Sequence, residues 1–549
     1  MNKFIIKNGK VYTKQEDGSE RFRFEDVKLV GIERNLHTKK IFWKIQFKYG
    51  GEIVEECVPR STLQTKKNIL ILQDIGLGVT EENARDMIEY LKLQEVDTEI
   101  QVSHSSIGYD SETNTFRLFN SFPSKSIYDG KLDIKPKGSY EQWLNVYRKE
   151  VKDRLELQLA IVISASSAIV GMIGREIGLE NPVVHIYGDS STGKTTAVQL
   201  GLSVWGNPNL KSSGLVQNYN ETINALMHNL RDNNGVAICF DEISMSTAED
   251  FTSFIYSTSN GKEKGRLSNE IGKGYIKLEQ ATWNTVIFST GEYNILEKAK
   301  ENDGLKVRVY DIGGVKWTKN AENSDKIKRV IFENYGHAGE RFVDKLIKYN
   351  KESLQETYNL TYEKLVKMFE KQKASDELTN RRIKYYSLIV MTTKLLNRHL
   401  SLGIEIGGIL DMLIQLEIKS ISERNVGVQA YKKFLEVIAK NRRKFPIIEG
   451  KRYRRENIKD DVWGYVLKKD TQVEIFPHEF KKQCNQLGFQ SHTVILNKWK
   501  QMGILDYESD RLHRQRLVGQ VYVINVDKAF IETLVESNEE AEEDIRVIV

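Results

Sequence analysis

Trp43, Ile45, Phe47 and Tyr49 alternate with Lys44, Gln46 and Lys48, the period of two that marks a strand with one face on a core. Gly50-Gly51 and the run EIVEECV come next, which predicts a hairpin. Thr80 precedes Glu81, Glu82 and a long periodic segment, so it is placed to cap a helix. More short strands are expected between residues 98 and 120. Pro123, Gly130, Pro136 and Gly138 mark a boundary near 125–140. Helical periodicity covers about 140 to 178. From Pro182 to about 315, apolar strand-like runs alternate with helices, the pattern of an α/β nucleotide-binding core. Residues 322–440 read almost entirely as helix, and 456–528 as helix, helix, then strands. The stretch from Glu536 to Asp544 is acidic, and its charge predicts fraying.

Composition narrows the class. Of 549 residues, 40% are hydrophobic, which is enough for large cores and excludes global disorder. At roughly 100–200 residues per domain, three or four domains are expected. The net charge of +5 hints at an anionic partner only weakly; where the charges lie matters more. Cys57, Cys239 and Cys484 are too far apart for a zinc site or disulfide framework, which fits a reducing cytoplasm. The longest uncharged apolar stretch, Leu159 to Gly174, contains serines and falls short of the ~20 residues of a membrane span. It is read as a buried helix, and no membrane association is expected.

The strongest chemical signal is PVVHIYGDSSTGKTTAVQL. An apolar strand runs into Gly188-Asp189-Ser190-Ser191-Thr192-Gly193-Lys194-Thr195-Thr196, and a helix follows. This is the phosphate loop GxxxxGK[ST] in its strand–loop–helix setting. Gly188 and Gly193 let the backbone turn its N–H groups toward phosphate oxygens. The helix start adds partial positive charge. Lys194 is expected on the β- and γ-phosphates and Thr195 on Mg²⁺. ATP and Mg²⁺ are therefore the expected cofactors.

Asp241 lies 47 residues beyond Lys194, at the end of the apolar run Val236–Phe240, with Glu242 next. Asp241 is the candidate metal ligand and Glu242 the candidate general base. The alternative for this pair is an acidic strand end at the surface. A third run, Thr285 to Glu292, ends in Ser289-Thr290-Gly291; Thr290 is the first candidate for the polar group facing the γ-phosphate and Ser289 the second. Many strands end in such turns, so the weight comes from its order in the chain. Arg308 follows, either as an arginine finger reaching a neighbouring subunit or as a surface arginine paired with Asp311 or a nearby Glu. Arg381 and Arg382 open the helical run RRIKYYSLIVMTTKLL. They are candidates for a second phosphate-sensing arginine or simply a basic helix start.

Two basic regions suggest nucleic acid. Asn260 to Lys277 is glycine-rich and carries Lys262, Lys264, Arg266, Lys273 and Lys277. As a hairpin or loop before the third strand, it would track phosphates in a pore; the alternative is a solvated charged loop. Lys440 to Arg455 holds eight basic residues against Glu449 alone. The module after it has helices Pro477–Leu487 and Ser491–Met502 and strands around Leu505–Tyr507 and Val518–Val526. That order reads as a winged helix, with Lys498, Lys500, Arg514 and Arg516 as phosphate contacts. The alternative is a protein–protein module.

Together SIGYD around Gly108, GDSSTGKTTAVQL, CFDEIS, NGKEKGR, IFSTGE, GLKVRVYDI and NYGHAGERF resemble a family of helicase-like AAA+ ATPases of phages and mobile elements, over about residues 100–525. Within it, the motifs are similar to those of the minichromosome-maintenance-like replicative helicases of staphylococcal cassette chromosome elements. The resemblance implies an AAA+ core, a winged-helix tail, a hexamer and unwinding of double-stranded DNA on single-stranded and forked substrates. It also favours Arg308 as the finger and Arg381 as the second sensor. The expected fold is thus multidomain α/β: an α+β domain at 1–135, the ATPase core with preceding helices at 136–320, a helical region at 321–445, a winged helix at 446–530 and an acidic tail at 531–549. The expected function is an ATP-dependent DNA helicase or translocase. The rivals are an AAA+ loader or initiator, a nucleotide-gated DNA-binding regulator, and a protein unfoldase. The last usually carries an aromatic pore loop, whereas here Tyr275 is the only aromatic in a basic one.

Overall fold

The apolar runs between residues 182 and 315 show little alternation because both of their faces are covered. In the computed structural model they form an all-parallel sheet of β1 (Val183–Tyr187), β2 (Val216–Asn218), β3 (Ile238–Asp241), β4 (Ile287–Gly291) and β5 (Val309–Gly313). Their spatial order is β2-β3-β4-β1-β5. Val183 pairs with Ile287 on one side and Val309 on the other, and Tyr187 with Gly291 and Gly313. The strands therefore end along one carboxyl edge, where ligands of open α/β sheets bind. The structure describes residues 3–210, 213–245, 251–263, 265, 267–270, 274–277, 280–295, 303–424, 426–448, 462–489, 491–508 and 511–535.

The apolar stretch read as a buried helix is α1 (Leu155–Ile173). It is long and apolar enough to cross a bilayer, yet 89% of its apolar window is buried inside the protein. It packs against α2 (Lys194–Leu202), the helix that leaves the phosphate loop.

Before the core, the predicted Trp43 strand is Ile41–Tyr49. Trp43, Ile45 and Phe47 are buried, but Tyr49 is exposed at the strand end. Gly50 and Gly51 both have positive φ (60° and 89°), the two-residue turn that joins this strand to Glu52–Pro59 with Tyr49 opposite Glu52. The helix that Thr80 was expected to cap is Ala84–Glu95; a turn comes first, with the Asn83 N–H on Thr80 Oγ1 and the Thr80 N–H on Asn83 Oδ1. Further along, Ile107–Asp110 pairs in parallel with Asn233–Asn234. Chain from before residue 135 thus adds strands beside the parallel-sheet core.

Helices dominate from Ala321 to Lys440, including α3 (Thr379–Leu400). The chain divides into two compact units, Met1–Ile414 and Gln415–Val549. In the second, Pro477–Gln486 and His492–Gln501 pack with Val426–Lys440. Trp499 sits edge-on to Phe434 and Phe480, and its indole N–H donates to the Gly427 carbonyl at 2.8 Å. A hairpin of Arg514–Arg516 with Gly519–Asn525 follows. Residues 536–549, most of the predicted acidic tail, lie outside the described residues.

Candidate nucleotide and DNA sites

The loop after β1 takes the backbone that its glycines permit. Gly188 and Gly193 have φ of 135° and 88°. A Cβ on Gly193 would lie 2.5 Å from Thr318 Oγ1, so no other residue fits there without a shift. The Trp317 N–H donates to the Thr192 carbonyl at 2.9 Å, which ties the loop to the segment after β5. Lys194 is buried, and its Nζ donates to the Gly188 and Asp189 carbonyls, each at 2.7 Å. Asp189, Ser190 and Ser191 are exposed, while Thr195 is half-buried at the first turn of α2. Thr196 points elsewhere: its Oγ1 lies 2.6 Å from Ser324 Oγ on the helix Ala321–Ile331.

Asp241 and Glu242 stand at the carboxyl end of β3, and Thr290 joins them. The Thr290 hydroxyl donates to Asp241 Oδ1 at 2.5 Å and accepts the Glu242 N–H at 2.9 Å. Ser244 Oγ donates to Glu242 Oε1 at 2.5 Å. Glu242 has φ of 62°, a left-handed backbone that costs a non-glycine residue roughly 1–3 kcal/mol and clusters at functional sites. Burial pushes the Asp241 carboxyl above the usual carboxylate range, and Glu242 pushes it further. The Thr290 hydroxyl, Lys194 and Lys328 pull it down.

Adjacent strand residues face opposite sides, so Ser289 cannot share the place of Thr290. Ser289 Oγ instead receives the Tyr219 hydroxyl and lies 2.9 Å from His185 Nδ1. His185 Nε2 is 2.9 Å from the Tyr293 carbonyl. Nε2 must therefore carry the proton, and Nδ1 accepts from Ser289. Burial drives the His185 pKa down to about 4, so the ring is neutral. His185, Tyr219 and Lys328 carried no sequence signal, because none belongs to a motif of fixed spacing.

Arg308 lies just before β5, and its carbonyl accepts the Val183 N–H. This is the far end of the sheet from the phosphate loop, about 15 Å away at ~3.3 Å per strand residue. Its guanidinium pairs with Glu180, donates to the Gly304 carbonyl at 2.7 Å and lies over the Tyr256 ring. The carboxylate partner is thus Glu180; Asp311 instead accepts from the Asn294 side-chain amide. The two arginines of α3 also separate. Arg381 is exposed. Arg382 is 2% exposed and donates to the Lys306 and Val309 carbonyls and to the Tyr386 hydroxyl.

The basic segment before β4 contains an antiparallel hairpin, Leu267–Glu270 with Gly274–Lys277. Lys262 is exposed, and its backbone bridges to Thr282. Lys264, Arg266 and Lys273 lie outside the described residues, as does most of the basic run up to Arg455. In the C-terminal module Lys498 is exposed, and the Lys500 ammonium lies 4.2 Å from the Tyr507 ring centroid. The hairpin arginines are engaged internally. Arg514 pairs with Asp506, and Arg516 Nε donates at 2.7 Å to Oε1 of the fully buried Glu474. Among the described residues no cluster of His, Cys, Asp and Glu suits a metal, and all three cysteines are free.

Residues 4–274 match a family described as a domain of unknown function, DUF927, and residues 425–529 match the Cch helix turn helix domain. No curated protein matches the sequence. Among solved structures, the chain is similar to one titled "SCCmec type IV Cch - active helicase", with 26% identity and a TM-score of 0.70. The match covers 97% of this chain and 99% of that one. The resemblance to helicase-like proteins of mobile elements therefore extends over nearly the whole chain, with the Cch helicase among the solved structures it resembles and a Cch-type helix-turn-helix module at its C-terminal side.

Proposed function

We propose that this chain is an ATP-driven DNA helicase or translocase of a mobile genetic element, built on an AAA+ core that works in a ring, hexameric by resemblance, in the cytoplasm. One observation carries the reading: Lys194, Asp241, Glu242 and Thr290 meet at a single carboxyl edge of a parallel sheet ordered β5-β1-β4-β3-β2. The whole-length similarity to a structure titled an active helicase supports it.

The residues fit a nucleotide and a magnesium ion. The loop is tight against Thr318, a buried ammonium lies inside it, and Thr195 and Asp241 offer the hard oxygen donors that magnesium prefers. Magnesium bound there neutralises charge on the phosphate oxygens. Lys194 exchanges its two loop carbonyls for phosphate oxygens of ATP. Glu242 accepts a proton from the attacking water, oriented by Thr290. Arg308 is too far from its own loop to serve it, so it acts on the neighbour's γ-phosphate, and Arg381 is proposed as the second sensor. The hairpin region of Lys262, Lys264, Arg266 and Lys273 tracks one strand of single-stranded or forked DNA, and Lys498 contacts phosphate.

Unwinding of a forked duplex with and without ATP tests this. Lys194→Ala should abolish hydrolysis. Glu242→Gln should keep nucleotide binding while slowing turnover about 10²–10⁴-fold. Normal hydrolysis by the Lys194 variant refutes the site. DNA-stimulated hydrolysis without strand displacement makes the chain a loader or initiator instead.

A further inference from the structure

The hairpin Arg514–Arg516/Gly519–Asn525 is built unlike a phosphate clamp. Its cations point into the module. Arg514, paired across the hairpin with Val521, is held by Asp506, and Arg516, paired with Gly519, is held by the buried Glu474. Both rungs of the stem are thereby pinned to the body of the domain. What the stem presents is Leu517, which is 81% exposed. The next residue, Val518, turns back onto the small apolar cluster of Ile448, Tyr465 and Leu467. Leu517 is therefore the one apolar side chain at the tip that the fold leaves out.

The surroundings point to a polyanion. Asp506, which holds Arg514, is followed by Tyr507, whose ring lies under the Lys500 ammonium. Lys500 lies in the last turn of the helix His492–Gln501, whose Thr493, Asn497 and Lys498 are exposed. Helix and hairpin are thus joined through Asp506-Tyr507. The helix is the second of a helix-turn-helix pair, the element such modules lay in a major groove. Arg511, just before the hairpin, is also exposed, so the same module carries exposed cations as well as the apolar tip.

We propose that Leu517 is an apolar wedge that enters the minor groove of duplex DNA and partly unstacks a base step, carried on a hairpin made rigid by its two internal ion pairs. Side chains of this kind kink duplexes by roughly 20–90°. The inference rests on the DNA-motor reading above and adds a duplex-deforming site to it.

The test is energy transfer between dyes at the two ends of a 25-base-pair duplex, with full-length protein and no nucleotide. Wild type should shorten the end-to-end distance by an amount that fits a kink of about 20° or more. Leu517→Ala should lose that shortening while binding weakens no more than about threefold, since phosphate contacts carry most non-specific affinity. Gln515→Ala, exposed on the same stem, should bend like wild type. Binding without a bend in wild type, or an equal bend in Leu517→Ala, overturns the wedge and leaves the motor reading standing. Failure of wild type to bind the duplex overturns the wedge as well, while the motor reading is decided separately by unwinding of the forked substrate.

Discussion

Thr290 is the residue on which the proposed catalytic corner closes. It donates to one acid and accepts the backbone N–H of the other, so it holds Glu242 in a strained conformation that the chain would otherwise leave. Beneath it, the neutral His185 joins β1 to β4 through Ser289 and to Tyr293. This ring supplies a pH test. Its folded pKa of about 4 lies below the ~6.5 of a free histidine. The unfolded chain therefore takes up a proton that the native protein refuses, and stability falls as pH drops from about 6.5 toward 4. The full effect is on the order of 3 kcal/mol. Chemical denaturation across that range should show the loss, and His185→Gln should flatten it. An unchanged acid limb in the variant would mean that the ring is not held neutral.

At the scale of elements, the C-terminal hairpin shows its expected phosphate contacts already engaged in ion pairs within the module. Arg514 and Arg516 looked like phosphate contacts because a basic turn between strands is what a DNA-binding wing shows. Glu474, however, is fully buried and burial raises its carboxyl pKa, so Arg516 is the charge that makes it tolerable. Removing one partner of a buried pair is costly. Arg516→Met should destabilise the C-terminal module by about 1–3 kcal/mol, since the arginine is partly solvated. Glu474→Gln should restore most of that in the double variant. If Arg516→Met unfolds at the wild-type denaturant concentration but loses DNA affinity, the arginine belongs to the DNA site after all. The helices of the module followed from periodicity; the pairing of these charges did not, because no spacing in the chain connects residues 474 and 516.

For the whole molecule, the telling fact is that Arg308 and Lys194 sit at opposite ends of β1 and β5. One subunit cannot bring them together, so a finger at 308 demands a neighbour. Each of Arg308→Ala and Lys194→Ala alone should be inactive. Mixed one to one, they should recover about a quarter of wild-type hydrolysis, because randomly filled head-to-tail interfaces join a sound loop to a sound finger one time in four. No recovery from rings proven to be mixed would assign Arg308 to its bond with Glu180 alone.

Much of this protein is determined locally. A phosphate loop needs two glycines, a lysine and a hydroxyl within eight residues, and a buried parallel strand needs an unbroken apolar run. Both are properties of neighbouring residues, so the chain by itself specified the loop, the acids at 241 and 242, the buried α1 and the two helices of the C-terminal module. Choices between alternatives were settled only by the tertiary structure, because each depends on which distant groups share one small volume. Side-chain alternation on β4 put Thr290 beside the acids and turned Ser289 toward His185. Burial put Arg382 under β5 and left Arg381 outside. Glu180, Asp506 and Glu474 each give a basic residue a carboxylate partner within the chain. Linear order cannot encode those partners, since charge and burial act through space rather than along the chain.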